Sequence, residues 1–170
     1  SKGVYEVLVS DIPAAEAVAH TQFGDVLPSN KALAGAGIEL IGMENREYLL
    51  RDALETLRPQ YDYIFIDCPP SLGMITTNAL CAADTLLVPI QCEYYALEGL
   101  NQVLKTVNLV QKKLNPELEV EGVVFTMYDS RTNLSLEVVE NVKEHLNENI
   151  YKTIIPRNVR LAEAPSYGMP

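Results

Sequence analysis

Tyr61-Asp62-Tyr63-Ile64-Phe65-Ile66-Asp67-Cys68-Pro69-Pro70 is the stretch from which the fold is read. Four consecutive apolar residues, Tyr63 to Ile66, are stopped by Asp67 and a proline pair. A run without polar alternation predicts a strand covered on both faces, the arrangement of parallel sheets with helices above and below. Proline cannot continue a ladder, so the strand is expected to end there.

The pattern recurs downstream. Residues 73–83 read as a helix, and Thr85-Leu86-Leu87-Val88 as a second buried strand ended by Pro89. Residues 96–114 form the longest predicted helix, with Leu97, Leu100, Leu104, Val107, Val110 (or Gln111) and Leu114 on one side. Gly122-Val123-Val124-Phe125-Thr126 is a third buried strand, residues 134–147 an amphipathic helix, and Thr153-Ile154-Ile155 a short fourth strand closed by Pro156. Upstream, Leu50, Ala53, Leu54 and Leu57 make a helical stripe. Residues 14–19 and 31–40 are Ala-rich and helical, with Val26-Leu27-Pro28 as a short strand ending between them. Alternation of strand and helix predicts an α/β fold: a doubly wound parallel sheet with helices on both faces. No repeat or linker interrupts it, so residues 1–170 are read as one domain.

The 170 residues are 48% hydrophobic and 21% charged, enough to bury a core. Thirteen Lys and Arg stand against 23 Asp and Glu, a net charge of −10. So acidic a chain is not a nucleic-acid or membrane glove over its whole surface, although a small basic patch is compatible with it. The last twenty residues provide one: Lys152, Arg157 and Arg160 face only Glu163. Cys68, Cys81 and Cys92 form no C-x-x-C pair, so neither a disulfide framework nor a zinc site is indicated, and reduced thiols of a cytosolic protein are expected. His20 and His145 belong to no metal motif.

Ligands of such folds sit beyond the carboxyl ends of the strands. The loops to read are therefore Asp67 to Ser71, Pro89 to Tyr94, Met127 to Arg131 and Pro156 to Arg160. Asp67 has two readings: the carboxylate that supports Mg²⁺ in P-loop nucleotide hydrolases, or a loop cap bonded to its own backbone. The companion G-x-x-x-x-G-K-[ST] loop is absent from the 170 residues. Gly35-Ala36-Gly37, the only glycine cluster, reads as a bend or tight helix contact. Ser71 is not in a G-x-S-x-G elbow. Cys68 and Cys92 read as buried structural thiols, Tyr94-Tyr95 as packing residues, and Asp129 with Arg131 as a solvated turn.

Four blocks then carry a family resemblance. Tyr61 to Gly73, Pro89 to Leu100, Arg131-Thr132-Asn133-Leu134 and Ile155 to Ser166 resemble, in the same order, segments of the ParA/Soj chromosome-partitioning ATPases, the Soj branch also being tied to sporulation control. The resemblance implies a deviant Walker A ATPase with a P-loop NTPase-like fold. Such a protein dimerises on ATP, binds DNA without sequence preference, and is stimulated by a ParB-type centromere-binding protein. Asp67 resembles the Walker B aspartate that supports Mg²⁺ through water. Pro156, Arg157 and Asn158 resemble the segment along the adenine, with Met127 a weaker candidate for the same pocket. Arg131 and Arg160 resemble the two arginines that grip DNA, and Glu93 lies in a block near the nucleotide and dimer interface.

The family's phosphate loop, with its lysines and hydrolytic aspartate, would precede Ser1, and its last helix would follow Pro170. The resemblance therefore implies a partial domain, incomplete at both ends, with no catalytic residue of its own and no tight binding of ATP or Mg²⁺. The expected setting is cytoplasmic and nucleoid-associated, with no membrane partner. Two other readings stand beside it: a non-catalytic truncated module that regulates a ParA-type partner, and a MinD-type cell-division ATPase.

Overall fold

The computed structural model describes residues 2–69, 71–146 and 149–168. Pro70 of the proline pair, Asn147 at the end of one predicted helix, and Ser1, Met169 and Pro170 lie outside the described residues. The chain divides into two compact units, Ser1–Ala83 with Val110–Pro116 and Asp84–Leu109 with Glu117–Pro170. Each is described by itself.

In the first unit the chain enters past Pro28. A Cβ at Gly3 would lie 2.4 Å from the Pro28 carbonyl oxygen, the atom that accepts the Val4 N–H at 2.8 Å. Only glycine fits so close an approach. Helix α1 (Val4–Val9) starts there, the Glu6 carboxylate accepting the Gly3 N–H at 2.8 Å, and buries Val7 and Leu8. Helix α2 (Ala14–Ala17) leads into a hairpin of β1 (Ala19–Thr21) and β2 (Gly24–Val26). Helix α3 (Leu33–Glu39) contains the glycine cluster, and its buried contact is made by Ala36 while a Cβ at either glycine would meet open space. Helices α4 (Leu49–Leu54) and α5 (Met74–Ala82) complete the unit. Its core gathers Val7, Leu8, Leu40, Leu50, Leu54, Leu57, Ala79 and Ala82, so the stripe read at 50, 54 and 57 is the buried one.

A polar residue ties this core together. Asn78 is fully buried. Its Oδ1 accepts the Leu50 N–H at 3.1 Å, and its Nδ2 donates to the Arg46 carbonyl at 2.7 Å and the Met74 carbonyl at 3.2 Å. The Leu50 N–H is one of the donors that the first turn of α4 cannot satisfy internally. Asn115 donates to the carbonyls of Leu80 and Ala83 at 2.9 and 3.0 Å, closing the end of α5.

The first strand expectation is corrected here. Tyr63 to Ile66 forms no strand, and no strand pairs with it among the described residues. Tyr63 and Phe65 are 79% and 89% exposed, their rings stacked at 6.1 Å, while Tyr61 and Ile66 pack on the core. Without a hydrogen-bonded neighbour and a covering layer, three of the four apolar residues, Tyr63, Ile64 and Phe65, are exposed to water.

The second unit holds a three-stranded parallel sheet in the order β3 (Thr85–Gln91), β4 (Glu119–Tyr128), β5 (Ile150–Pro156). Helix α6 (Ala96–Lys113) connects β3 to β4, and helix α7 (Asn133–His145) connects β4 to β5, as parallel pairing requires. Helix α8 (Val159–Glu163) follows β5. Val88, Ile90, Cys92, Val123 and Phe125 from the sheet pack with Leu100 from α6 and Val138, Val139 and Val142 from α7. Burying a side chain such as Phe125 fully contributes roughly 1.5–3 kcal/mol.

Two details differ from expectation. β3 runs through Pro89 to Gln91, because β3 lies at an edge of this sheet, where proline's missing donor is tolerated. β3 and β5 are not covered on both faces: only Val88 and Ile90 are buried along β3, and no residue along β5.

Candidate functional site

The carboxyl ends of the three strands bring most of the candidate residues to one edge. Tyr128 pairs with Pro156, and the Arg157 N–H donates to the Tyr128 carbonyl at 2.9 Å. The Cys92 N–H donates to the Thr126 carbonyl at 3.2 Å, and Thr126 Oγ1 to the Ile90 carbonyl at 3.2 Å. Met127, Pro156, Arg157 and Asn158 are therefore neighbours on adjacent strand ends. Met127 has φ +55°, a left-handed conformation that costs a non-glycine residue about 1–2 kcal/mol, and it sits at a slip in the β4–β5 register with its side chain exposed. Strained backbone of this kind clusters at ligand sites.

Asn158 caps α8, its Oδ1 accepting the Arg160 N–H at 2.8 Å. Arg160 stands exposed in the first turn of α8 and makes no ion pair among the described residues. Arg131 stands two residues after Asp129 and donates to its carboxylate through Nε at 2.9 Å and Nη2 at 2.6 Å. That fork, the Arg131 N–H and the charges of Arg131 and Arg157 hold the Asp129 carboxyl well below the usual carboxylate range. The Asp129–Arg131 turn read as solvated is thus internally bonded. Beside the β3 end, a hollow of about 250 Å³ is lined by Pro89, Gln91, Glu93, Tyr95, Ala96 and Gly99. Tyr94 and Tyr95 are exposed and meet edge to face at 5.1 Å, so they are not the packing residues expected.

Asp67 belongs to the first unit. It borders a cleft of about 1140 Å³ together with Cys68, Pro69, Ser71 and Gly73, the remaining lining being largely apolar. Its carboxylate is exposed and makes no hydrogen bond to another described residue, so it is not a loop cap. Among the described residues no group of three or more His, Cys, Asp or Glu could hold a metal by itself. A lone free carboxylate suits Mg²⁺, which keeps water and phosphate oxygens as its other ligands. Cys68 is exposed, contrary to expectation, while Cys81 and Cys92 are buried. Burial pushes the Cys92 thiol up, which keeps it protonated and inert.

A family described as an AAA domain matches residues 1–120. The sporulation initiation inhibitor protein Soj of Bacillus subtilis is 54% identical over 169 residues, covering 98% of this chain and 67% of that protein. The chromosome partitioning protein ParA of Myxococcus xanthus is 51% identical over 169 residues, covering 98% of this chain and 60% of that one. This chain belongs to the ParA/Soj family of chromosome-partitioning ATPases. It spans 60–67% of the length of these two relatives. Among solved structures, a cobyrinic acid a,c-diamide synthase from Mycobacterium smegmatis, determined with a bound ATP analog and magnesium, superposes with a TM-score of 0.86 at 41% identity. That match covers 92% of this chain and 63% of the synthase.

Three features of this ParA/Soj chain escaped the sequence reading. The Asp129–Arg131 fork was signalled by the D-x-R spacing ahead of a Thr-capped helix, but was read as a solvated turn. The strain at Met127 and the Asn78 hub had no signal, because both depend on partners far away in the chain.

Proposed function

We propose that this chain is part of an ATP-dependent DNA-segregation switch, one that dimerises on ATP and grips DNA without sequence preference. The observation that carries the reading is the grouping of Arg131 and Arg160 with Met127, Pro156, Arg157 and Asn158 at one sheet edge, in a chain 54% identical to Soj. Met127 and Pro156 offer apolar surface to a purine, and the Asn158 amide and Arg157 guanidinium offer donors. Asp67 would accept from water on Mg²⁺, which when bound with ATP supplies charge neutralisation for phosphoryl transfer. The 170 residues contain no phosphate cradle, so the edge of Met127 and Pro156 to Asn158 would hold a base without supplying the donors that hold the phosphates.

In a chain of net charge −10, DNA contact has to be local. Two exposed arginines per copy, doubled in a dimer, meet backbone phosphates and carry no sequence information. A ParB-type partner and a cytoplasmic, nucleoid-associated setting follow from the same reading. The test is DNA binding by the full reading frame with an ATP analog and magnesium. Arg131→Ala and Arg160→Ala are each expected to weaken binding uniformly across sequences and to lower the salt slope. Unchanged binding at matched salt overturns the assignment.

The other reading, a non-catalytic module that regulates a ParA-type partner, makes the opposite prediction for activity. Magnesium-dependent ATP turnover separates the two. The 170-residue chain is expected to show none under either reading, and the full reading frame to show it only under the first.

A further inference from the structure

At the end of β4 the chain closes around Asp129. Its N–H donates to Ser135 Oγ at 3.2 Å, and its carbonyl accepts Thr132 N–H and Oγ1–H, both at 3.1 Å. Its carboxylate Oδ1 also accepts the Arg131 N–H at 3.0 Å. Asp129 is therefore anchored through backbone and side chain before the guanidinium docks on it. The guanidinium then presents one edge to the carboxylate, Nε to Oδ1 and Nη2 to Oδ2. That fork uses two of five donors. The other three, on Nη1 and the far side of Nη2, form the opposite edge, which matches a phosphate bidentately. The Arg131 side chain is 84% exposed and that of Asp129 only 19%, so the carboxylate lies beneath and the guanidinium outside.

A carboxylate beside a phosphate-seeking arginine has two opposed effects. It cancels charge, which weakens attraction to DNA, and at contact distance, with Asp129 only 19% exposed, salt screens that term only in part. It also removes side-chain freedom before binding, so less is lost when a phosphate arrives, and salt does not screen that gain. The two effects have opposite signs, so the Asp129 variants show which is the larger.

We infer that Asp129 is a positioning residue for Arg131, holding its guanidinium with the outer edge turned toward a DNA backbone phosphate. The inference rests on the proposed DNA contact of Arg131. Arg160, which has no such buttress among the described residues, is the internal comparison.

The sign of the effect is the test. Asp129→Asn and Asp129→Ala are made in the full reading frame, and binding to a short duplex of arbitrary sequence is followed by fluorescence anisotropy with an ATP analog and magnesium. Each variant removes a negative charge, yet each is expected to weaken binding about three- to tenfold, the range of an exposed charge-assisted pair counted over two copies. Tighter binding would mean that the carboxylate masks Arg131, and would overturn the inference. In an Arg131→Ala background, Asp129→Ala is expected to add nothing; an equal further loss there would mean that Asp129 acts through the fold, which also overturns it. Arg131→Ala that leaves binding unchanged overturns both the DNA-contact reading and this inference. A weakened Arg131→Ala beside unaffected Asp129 variants overturns this inference alone. Asp129→Asn keeps an Oδ1 acceptor for the Arg131 N–H, so the loop retains its turn in at least one variant.

Discussion

Gly122 lies directly against Tyr151 on the neighbouring strand. A Cβ at position 122 would stand 2.9 Å from the edge of the Tyr151 ring and 2.9 Å from the Asn149 carbonyl oxygen. The Tyr151 hydroxyl reaches back to Glu121 Oε1 at 2.6 Å, and the Glu121 carbonyl accepts Asn149 Nδ2 at 3.1 Å. The ring thus lies over the glycine and locks the amino end of β4 to β5.

Gly122→Ala is therefore expected to destabilise the sheet. The ring can rotate by a few tenths of an ångström, but the Asn149 carbonyl is backbone and cannot move without disturbing the Val123 N–H bond it accepts at 2.8 Å. Overpacking of this kind costs about 1–3 kcal/mol. For a chain of this size that corresponds to a fall in Tm of about 2–4 °C per kcal/mol. An unchanged Tm in thermal unfolding would mean that β5 moves away freely.

Asn78→Leu conserves volume and removes every bond of the hub. It leaves the Leu50 N–H and the Arg46 carbonyl without the partner they have at 3.1 and 2.7 Å. Each orphaned buried group costs roughly 1–3 kcal/mol, so a loss of about 2–4 kcal/mol is expected. The check is urea unfolding, where the midpoint should fall at constant slope. Asn78→Asp keeps the acceptor but buries a carboxylate against the two carbonyls the amide served, and should cost at least as much as Asn78→Leu.

The difference between these two residues explains how much was legible in the sequence. β4 and α7 are legible because their signals are local: an apolar run after Gly122, and the amphipathic pattern over residues 134–147, whose buried side proves to be Val138, Val139 and Val142. The helical stripe at Leu50, Leu54 and Leu57 was read for the same reason. Tyr63 to Ile66 carries an equally strong local signal and still forms no strand, since a strand exists only with a hydrogen-bonded neighbour. At the site, the grouping of Met127 with Pro156 to Asn158 followed from the rule that ligand loops follow parallel strands. The Asp129–Arg131 fork did not, because spacing does not say whether a nearby carboxylate faces an arginine or water.

Three tyrosines should ionise late. Tyr5, Tyr61 and Tyr151 each donate to a carboxylate, those of Glu39, Asp25 and Glu121, and each is raised above the ordinary tyrosine value chiefly by that bond. A raised value means that the stabilisation is fully present below about pH 10 and is lost as pH rises through the folded value. On the acid side, Asp25 is lowered by Tyr61 and then His20, and Glu121 by Tyr151 and then Thr85. Their contribution is present above about pH 4 and is lost as pH falls through the folded values. In an absorbance titration of tyrosinate, three of the nine tyrosines are expected to lag. Tyr151→Phe should remove one of them and return Glu121 toward the ordinary range; nine tyrosines ionising together would contradict the bonds.

The exposed pair Tyr63 and Phe65 makes a further demand on the 170-residue chain. A segment outside any strand, with two large apolar side chains in water, is a template for pairing with another chain. Phe65→Lys places a charge on that face, the device by which natural edge strands resist association. At equal concentration, light scattering by the 170-residue chain is expected to rise more slowly for Phe65→Lys, with an unchanged unfolding midpoint because Phe65 contributes little burial here. A lower midpoint would show that Phe65 is covered in solution, and an unchanged scattering rate would show that association proceeds through another surface. Phe65→Lys in the full reading frame is the converse measurement. If the longer chain supplies a strand beside Tyr63 to Ile66, the same substitution buries a charge there and should lower stability by several kcal/mol.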